Sequence, residues 1–121
     1  MTGNSDATMA DRRLRALLAA DRAATADRIA TLSQDLEAIV EAARLVGTDD
    51  EHDPEGSTIA FERSQTSAFI ADARKHLTDL ESALERIDAG DYGRCERCEK
   101  PIAAERLLAR PSARTCIDCA V

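Results

Sequence analysis

Two long stretches of the chain repeat mostly apolar residues at alternating steps of four and three. The repeat in the first stretch comprises Leu18 and, in alternating steps from Thr25 onward, Thr25, Ile29, Leu32, Leu36, Ile39, Ala43 and Val46. The repeat in the second comprises Ile59, Arg63, Thr66, Ile70, Ala73, Leu77, Leu80, Leu84 and Ile87. This spacing is typical of the contact seam of a coiled coil. Glycine and proline are absent from both stretches, so the pattern predicts helices over about Met9–Val46 and Ser57–Ala89.

A short acidic connection joins the two predicted helices, so they are expected to fold back as an antiparallel hairpin. Pairing Val46 with Ile59 brings Leu18 to Ile87 and packs the start of the first helix against the C-terminal segment. We therefore predict an all-α fold with a flexible N-terminus (1–8), a coiled-coil hairpin (9–89) whose tip loop is 47–57, and a zinc-finger module (90–121). At about 1.5 Å per residue, each arm is expected to extend roughly 50 Å.

The C-terminal segment contains the four cysteines of the chain, spaced as C-x2-C, seventeen residues, C-x2-C. The four ligands predicted for one metal ion are Cys95, Cys98, Cys116 and Cys119. Four thiolates complete the tetrahedral shell that zinc prefers and leave no position for water or substrate. The segment has few apolar residues, so it needs the ion in order to fold. We therefore predict one structural Zn²⁺ and no catalytic site.

Other uses of four cysteines were weighed against zinc. Two disulfides fit the count, but no secretory segment indicates an oxidising compartment. A redox C-x-x-C motif is expected in a thioredoxin-like sheet, and this chain shows no strand pattern. An iron–sulfur cluster also uses four thiolates and stays open at the level of sequence.

Composition and charge exclude several classes of partner and function. The net charge is −7, which opposes general binding to nucleic-acid phosphates, so no direct DNA recognition is expected. Stretches long and apolar enough to span a membrane are absent, and the N-terminus has no signal-peptide pattern, so we expect a cytoplasmic protein. The residues assemble no catalytic set, so we do not expect an enzyme. We expect a monomer, with a two-chain bundle as the alternative.

Motifs of the zinc segment resemble those of the DksA/TraR family of bacterial transcription regulators. The matching residues are Tyr92-Gly93-Arg94-Cys95-x-x-Cys98, then Ile102, Arg106-Leu107, Ala109-Arg110-Pro111 and Cys116-Ile117-Asp118-Cys119. The resemblance implies a regulator that binds RNA polymerase and inserts the tip of its coiled coil into the secondary channel to modulate initiation. An interaction or scaffold protein with another partner is the alternative.

The resemblance also assigns a role to the connection between the helices. Asp53 matches the first aspartate of the family's tip motif D-x-x-D-x-A, whereas Gly56 and Thr58 replace its second aspartate and its alanine. Glu55 or an upstream aspartate could substitute for the missing carboxylate. The residues expected to contact the partner are Asp49, Asp50, Asp53, Glu55 and Thr58.

Overall fold

The computed structural model describes the backbone of residues 2–46 and 54–120 and the side chains of residues 12–45 and 57–120. Helix α1 covers Thr2–Val46, helix α2 covers Pro54–Ala89, and the short helix α3 covers Ala104–Ala109. The described residues include no β-strand beyond an isolated bridge between Arg94 and Pro101. No helix among them is long and apolar enough to cross a membrane. The predicted all-α hairpin with a C-terminal cysteine module is confirmed.

Helix α1 begins at Thr2, whereas a flexible segment was expected over 1–8. The helix therefore starts earlier than the predicted Met9, and the flexibility expected for residues 1–8 stays a prediction. Helix α2 begins at Pro54, so residues 54–57 of the predicted tip loop are helical. Proline suits this position because the first helical N–H has no acceptor within the helix.

The C-terminus of α2 is formed by a glycine in the left-handed conformation. Gly90 has φ +80°, and its N–H donates to the carbonyl of Ile87 at 3.1 Å. The N–H of Asp91 donates to the carbonyl of Arg86 at 2.9 Å. Together these bonds form a Schellman motif, which satisfies the last carbonyls of the helix. The break at Gly90 therefore fixes where the chain leaves α2 and enters the cysteine module.

The chain divides into two compact units, both of which contain parts of α1 and α2. Unit 1 comprises Met1–Ala24 and Leu77–Val121, and unit 2 comprises Thr25–His76. In unit 1, Arg15 pairs with Asp88 at 2.7 Å and Arg22 approaches Glu81 at 4.0 Å. A later residue of α1 thus meets an earlier residue of α2, as antiparallel pairing requires.

Burial follows the predicted seam closely. Every seam residue whose side chain is described is buried or half-buried, with one exception, Arg63. Arg63 is exposed because a guanidinium without a buried partner costs less free energy in water. In unit 1, Leu18, Leu80 and Ala83 form a cluster against which Ile87 packs, in agreement with the predicted pairing of Leu18 with Ile87.

Candidate metal centre

The first cysteine pair lies on a tight loop that begins just after α2. The N–H of Cys95 donates to the carbonyl of Lys100, and the N–H of Glu99 donates to the carbonyl of Cys95, each at 2.9 Å. Glu99 has φ +63°, a left-handed conformation that reverses the chain within a few residues. These bonds turn the Sγ atoms of Cys95 and Cys98 toward the same point.

The second cysteine pair lies on a turn near the end of the described chain. The N–H of Cys119 donates to the carbonyl of Cys116 at 3.1 Å. The carbonyl of Cys119 accepts a long bond of 3.5 Å from the Arg97 guanidinium, which comes from the first loop. The two loops are therefore connected outside the sulfur atoms as well as through them.

All four sulfur atoms converge. The Sγ atoms of Cys95, Cys98, Cys116 and Cys119 lie within 4.8 Å of one another, and all four cysteines are free of disulfides. The Sγ atoms of Cys98 and Cys116 are 3.8 Å apart. A zinc–sulfur bond of about 2.3 Å implies an edge of roughly 3.8 Å in a regular tetrahedron of four thiolates. The cluster therefore fits one tetrahedral ion, and the two-disulfide alternative is not adopted.

Hydrogen bonds give the cysteine thiols different pKa values. Backbone N–H groups of Cys98 and then Cys116 lower the pKa of Cys95 to about 6, because they stabilise its thiolate. The neighbouring Cys116 side chain, followed by Cys95, raises the pKa of Cys119 to about 12. Adjacent thiolates repel one another in the absence of a cation, so the full set of four negative charges requires a metal ion.

A small apolar cluster supports the sulfur atoms from one side. Cys95 is fully buried, Ile102 and Leu107 are almost so, and Tyr92 packs against this cluster and against the Leu18 cluster of the helices. Gly93 has φ +85°, and a Cβ built there would lie 3.5 Å from Leu107. The left-handed backbone explains why glycine occupies this position before Cys95.

Most of the predicted tip residues lie outside the part of the chain that the structure describes. Asp49, Asp50 and Asp53 lie outside the described residues, and the side chain of Glu55 is not described either. Thr58 is exposed on α2.

Sequence reasoning missed three polar side chains that surround the segment before Cys116. The Tyr92 hydroxyl donates to the carbonyl of Pro111 at 2.7 Å, and Nε of Arg106 donates to the carbonyl of Thr115 at 2.9 Å. The Arg86 guanidinium donates to the carbonyls of Ser112 and Ala113, each at 3.5 Å. The signal available in the sequence was the irregular segment itself, whose carbonyls needed donors from elsewhere.

Comparison with known proteins identifies the cysteine module. Residues 90–121 match the family described as "Prokaryotic dksA/traR C4-type zinc finger". This match, together with four convergent sulfur atoms, assigns one structural Zn²⁺ to Cys95, Cys98, Cys116 and Cys119. The ion holds the two loops together and, with four sulfur ligands, leaves no open position for chemistry.

Curated relatives match part of the chain. The chain is 41% identical over 66 residues to the uncharacterized protein YteA of Bacillus subtilis. It is 44% identical over 46 residues to the RNA polymerase-binding transcription factor DksA of Haemophilus influenzae. These matches cover 54% and 38% of this chain, but only 28% and 32% of the respective relatives. The chain thus spans about a third of the length of the curated relatives it matches.

A solved structure extends the similarity beyond the cysteine module. The transcription factor DksA2 from Pseudomonas aeruginosa superposes with a TM-score of 0.76 and 26% sequence identity. The superposition covers 91% of this chain and 79% of that chain. A coverage this large includes helices α1 and α2 as well as the four-cysteine module.

Proposed function

Because residues 90–121 match the dksA/traR zinc-finger family and the fold resembles that of DksA2, we propose that the chain is a transcription regulator that binds RNA polymerase. In this proposal the hairpin end between α1 and α2 enters the secondary channel of the enzyme and modulates initiation. The chain acts by contact and electrostatics and carries out no reaction of its own. Support comes from the similarity to DksA of Haemophilus influenzae, which is an RNA polymerase-binding transcription factor.

The observation that carries this proposal is the extent of the structural match. A zinc-finger match over residues 90–121 would by itself fit many partners. The DksA2 match covers 91% of the chain and therefore includes the two helices that the proposed mode of binding requires.

The acidic connection is the proposed contact with the polymerase. Residues 47–56 contain five carboxylates and neither lysine nor arginine. Repulsion among these like charges slightly destabilises the isolated protein. The same charges favour binding to a cationic or metal-containing surface on a partner. We assign the contact to Asp49, Asp50, Asp53, Glu55 and Thr58.

In this proposal the partner is a protein, and the chain binds it as a monomer in the cytoplasm. A net charge of −7 opposes both binding to DNA phosphates and association of two copies through their acidic ends. Binding to polymerase as a monomer is consistent with this charge.

Replacing Asp53 and Glu55 by alanine tests the proposal directly. We expect the double variant to keep its zinc, its helices and its binding to purified RNA polymerase, but to lose its effect on initiation in a reconstituted transcription assay. The matched control replaces Asp35 and Glu37, two exposed acids of α1, and changes the net charge equally. An unchanged effect of the tip variant would contradict the role of the tip, and failure of the native chain to bind polymerase would favour a scaffold role with another partner.

Helix capping must be separated from partner contact in this experiment. Asp53 directly precedes Pro54, the first residue of α2, and an aspartate at that position stabilises a helix by about 1 kcal/mol. Asp53→Asn preserves capping and removes the charge. Lost regulation in Asp53→Asn with Glu55→Gln, at unchanged thermal stability, assigns the effect to charge.

A further inference from the structure

Five successive carbonyls in the segment 111–115 accept hydrogen bonds from outside the segment. The donors, in the order of the carbonyls, are the Tyr92 hydroxyl, the two terminal nitrogens of Arg86, the backbone N–H of Glu96 and Nε of Arg106. The segment has neither helical nor strand structure, and Cys116 follows it immediately. Its path is therefore set by these donors.

Two of the donors precede the first cysteine in the sequence. Arg86 lies near the end of α2 and reaches carbonyls 26 and 27 residues further along the chain. Tyr92 lies between α2 and the first cysteine and reaches a carbonyl 19 residues away. Helix α2 thus contacts the approach to the second cysteine pair directly.

Placing the Arg86 guanidinium in this position costs free energy. Its Nε atom is buried and has no hydrogen-bond partner among the described residues. Burial, followed by the positive charge of Arg114, lowers the pKa of Arg86. Glu96 and Asp79 offset part of that cost. A half-buried guanidinium with an unsatisfied nitrogen calls for compensating contacts, and the carbonyls of Ser112 and Ala113 are the acceptors that it reaches.

We propose that Arg86 and Tyr92 are positioning residues of the metal centre, which hold residues 111–113 so that Cys116 and Cys119 stand ready for the ion. Neither side chain is a ligand. Each restricts the irregular segment before zinc arrives, so less conformational freedom is lost when the second pair of thiolates binds. Zinc affinity is accordingly set in part by the end of α2.

The coupling works in both directions. If the contacts from Arg86 and Tyr92 favour zinc, the bound ion must favour those contacts by the same factor. Residues outside a metal shell that orient its ligands typically change metal affinity by about 10- to 100-fold when they are replaced.

Zinc affinity of the purified full-length chain tests the proposal. Tyr92→Phe removes only the hydroxyl and keeps the ring in both apolar clusters, and Arg86→Lys keeps the charge but cannot donate from two nitrogens in a fixed fork. We expect each variant to bind zinc about 10-fold more weakly than the native chain, as measured by competition with a chelator. Arg94→Ala, an exposed arginine of the same unit, is the matched control and should match the native chain.

A second readout separates positioning from general loss of folding. Co²⁺ in place of zinc should give the same tetrahedral thiolate spectrum in native and variant chains once saturated, because the four ligands are unchanged. Helix content at saturating zinc should also be native. Native zinc affinity in both Tyr92→Phe and Arg86→Lys would overturn the proposal, as would an equal loss in Arg94→Ala. An altered Co²⁺ spectrum would overturn it too, since it would mean that the ligand set itself had changed.

Discussion

Units 1 and 2 use the same two helices but are stabilised differently. Unit 1 contains the three fully buried large side chains, Leu18, Leu80 and Cys95, among the residues described. In unit 2 the buried side chains are Thr25, Ile70 and Ala73, two of which are small or polar. Unit 1 therefore combines a small apolar core with a metal centre, whereas unit 2 depends on a narrow seam.

This difference has a thermodynamic consequence. Buried apolar area supplies most of the favourable free energy of folding, and metal binding adds to it only where the ligands lie. The apolar seam residues of α1 that are described in unit 2 are only half-buried, for example Leu32, Leu36 and Ile39. We infer that local opening costs less free energy in unit 2 than in zinc-loaded unit 1.

Removing the metal should produce the largest effect on stability. Local opening should then cost less free energy in unit 1 than in unit 2. Cys116→Ser eliminates one of four ligands, and structural zinc contributes about 10–16 kcal/mol of apparent binding free energy in small modules. We expect loss of the bound zinc and of amide-exchange protection in residues 92–120, with protection in residues 29–43 almost unchanged.

The exposed substitution Ala109→Ser, in the same module, controls for a hydroxyl introduced at the surface. Equal loss of protection in both units after Cys116→Ser would contradict the comparison, because the stability of unit 2 would then depend on the ion.

Shortening one core leucine in each unit should give the next largest effect. Leu80 has 0% exposure, so Leu80→Ala is expected to lower the free energy of unfolding by about 2–5 kcal/mol. Leu36 is half-buried, and Leu36→Ala should cost roughly half as much, since less apolar surface returns to water. Urea unfolding followed by circular dichroism measures both. A cost for Leu36→Ala equal to that for Leu80→Ala would show that the seam of unit 2 is stronger than its burial indicates.

Patterns along the sequence were sufficient for the features that depend on local chemistry. The break at Gly90 marks the predicted end of α2, because its left-handed backbone favours glycine. The paired C-x2-C motifs predicted the metal ligands because few other arrangements satisfy four clustered thiols. The heptad seam predicted burial at nearly every position for which a side chain is described.

Contacts between distant residues could not be predicted in the same way. Nothing in the spacing of Arg86 distinguishes it from the exposed arginines of the helices, because its acceptors lie 26 and 27 residues away on an irregular segment. The start of α1 was also misplaced, since small polar residues at a helix end carry a weak signal in either direction. The tertiary hydrogen bonds and the start of α1 therefore required the structure.

Breaking the ion pair between Arg15 and Asp88 should give the smallest effect and tests whether surface charge contributes to unit 1. The two atoms are 2.7 Å apart, but both side chains are 55% exposed, so water and salt screen the attraction. A double-mutant cycle with Arg15→Ala and Asp88→Ala should give a coupling of about 0.2–1 kcal/mol in urea unfolding. Because exposed pairs weaken as the Debye length shrinks to about 3 Å, the coupling should nearly vanish in 1 M salt. A coupling above about 2 kcal/mol that persisted in salt would mean that this ion pair stabilises unit 1 together with zinc and the buried leucines. The difference in stability between the two units would then depend on charge as much as on burial.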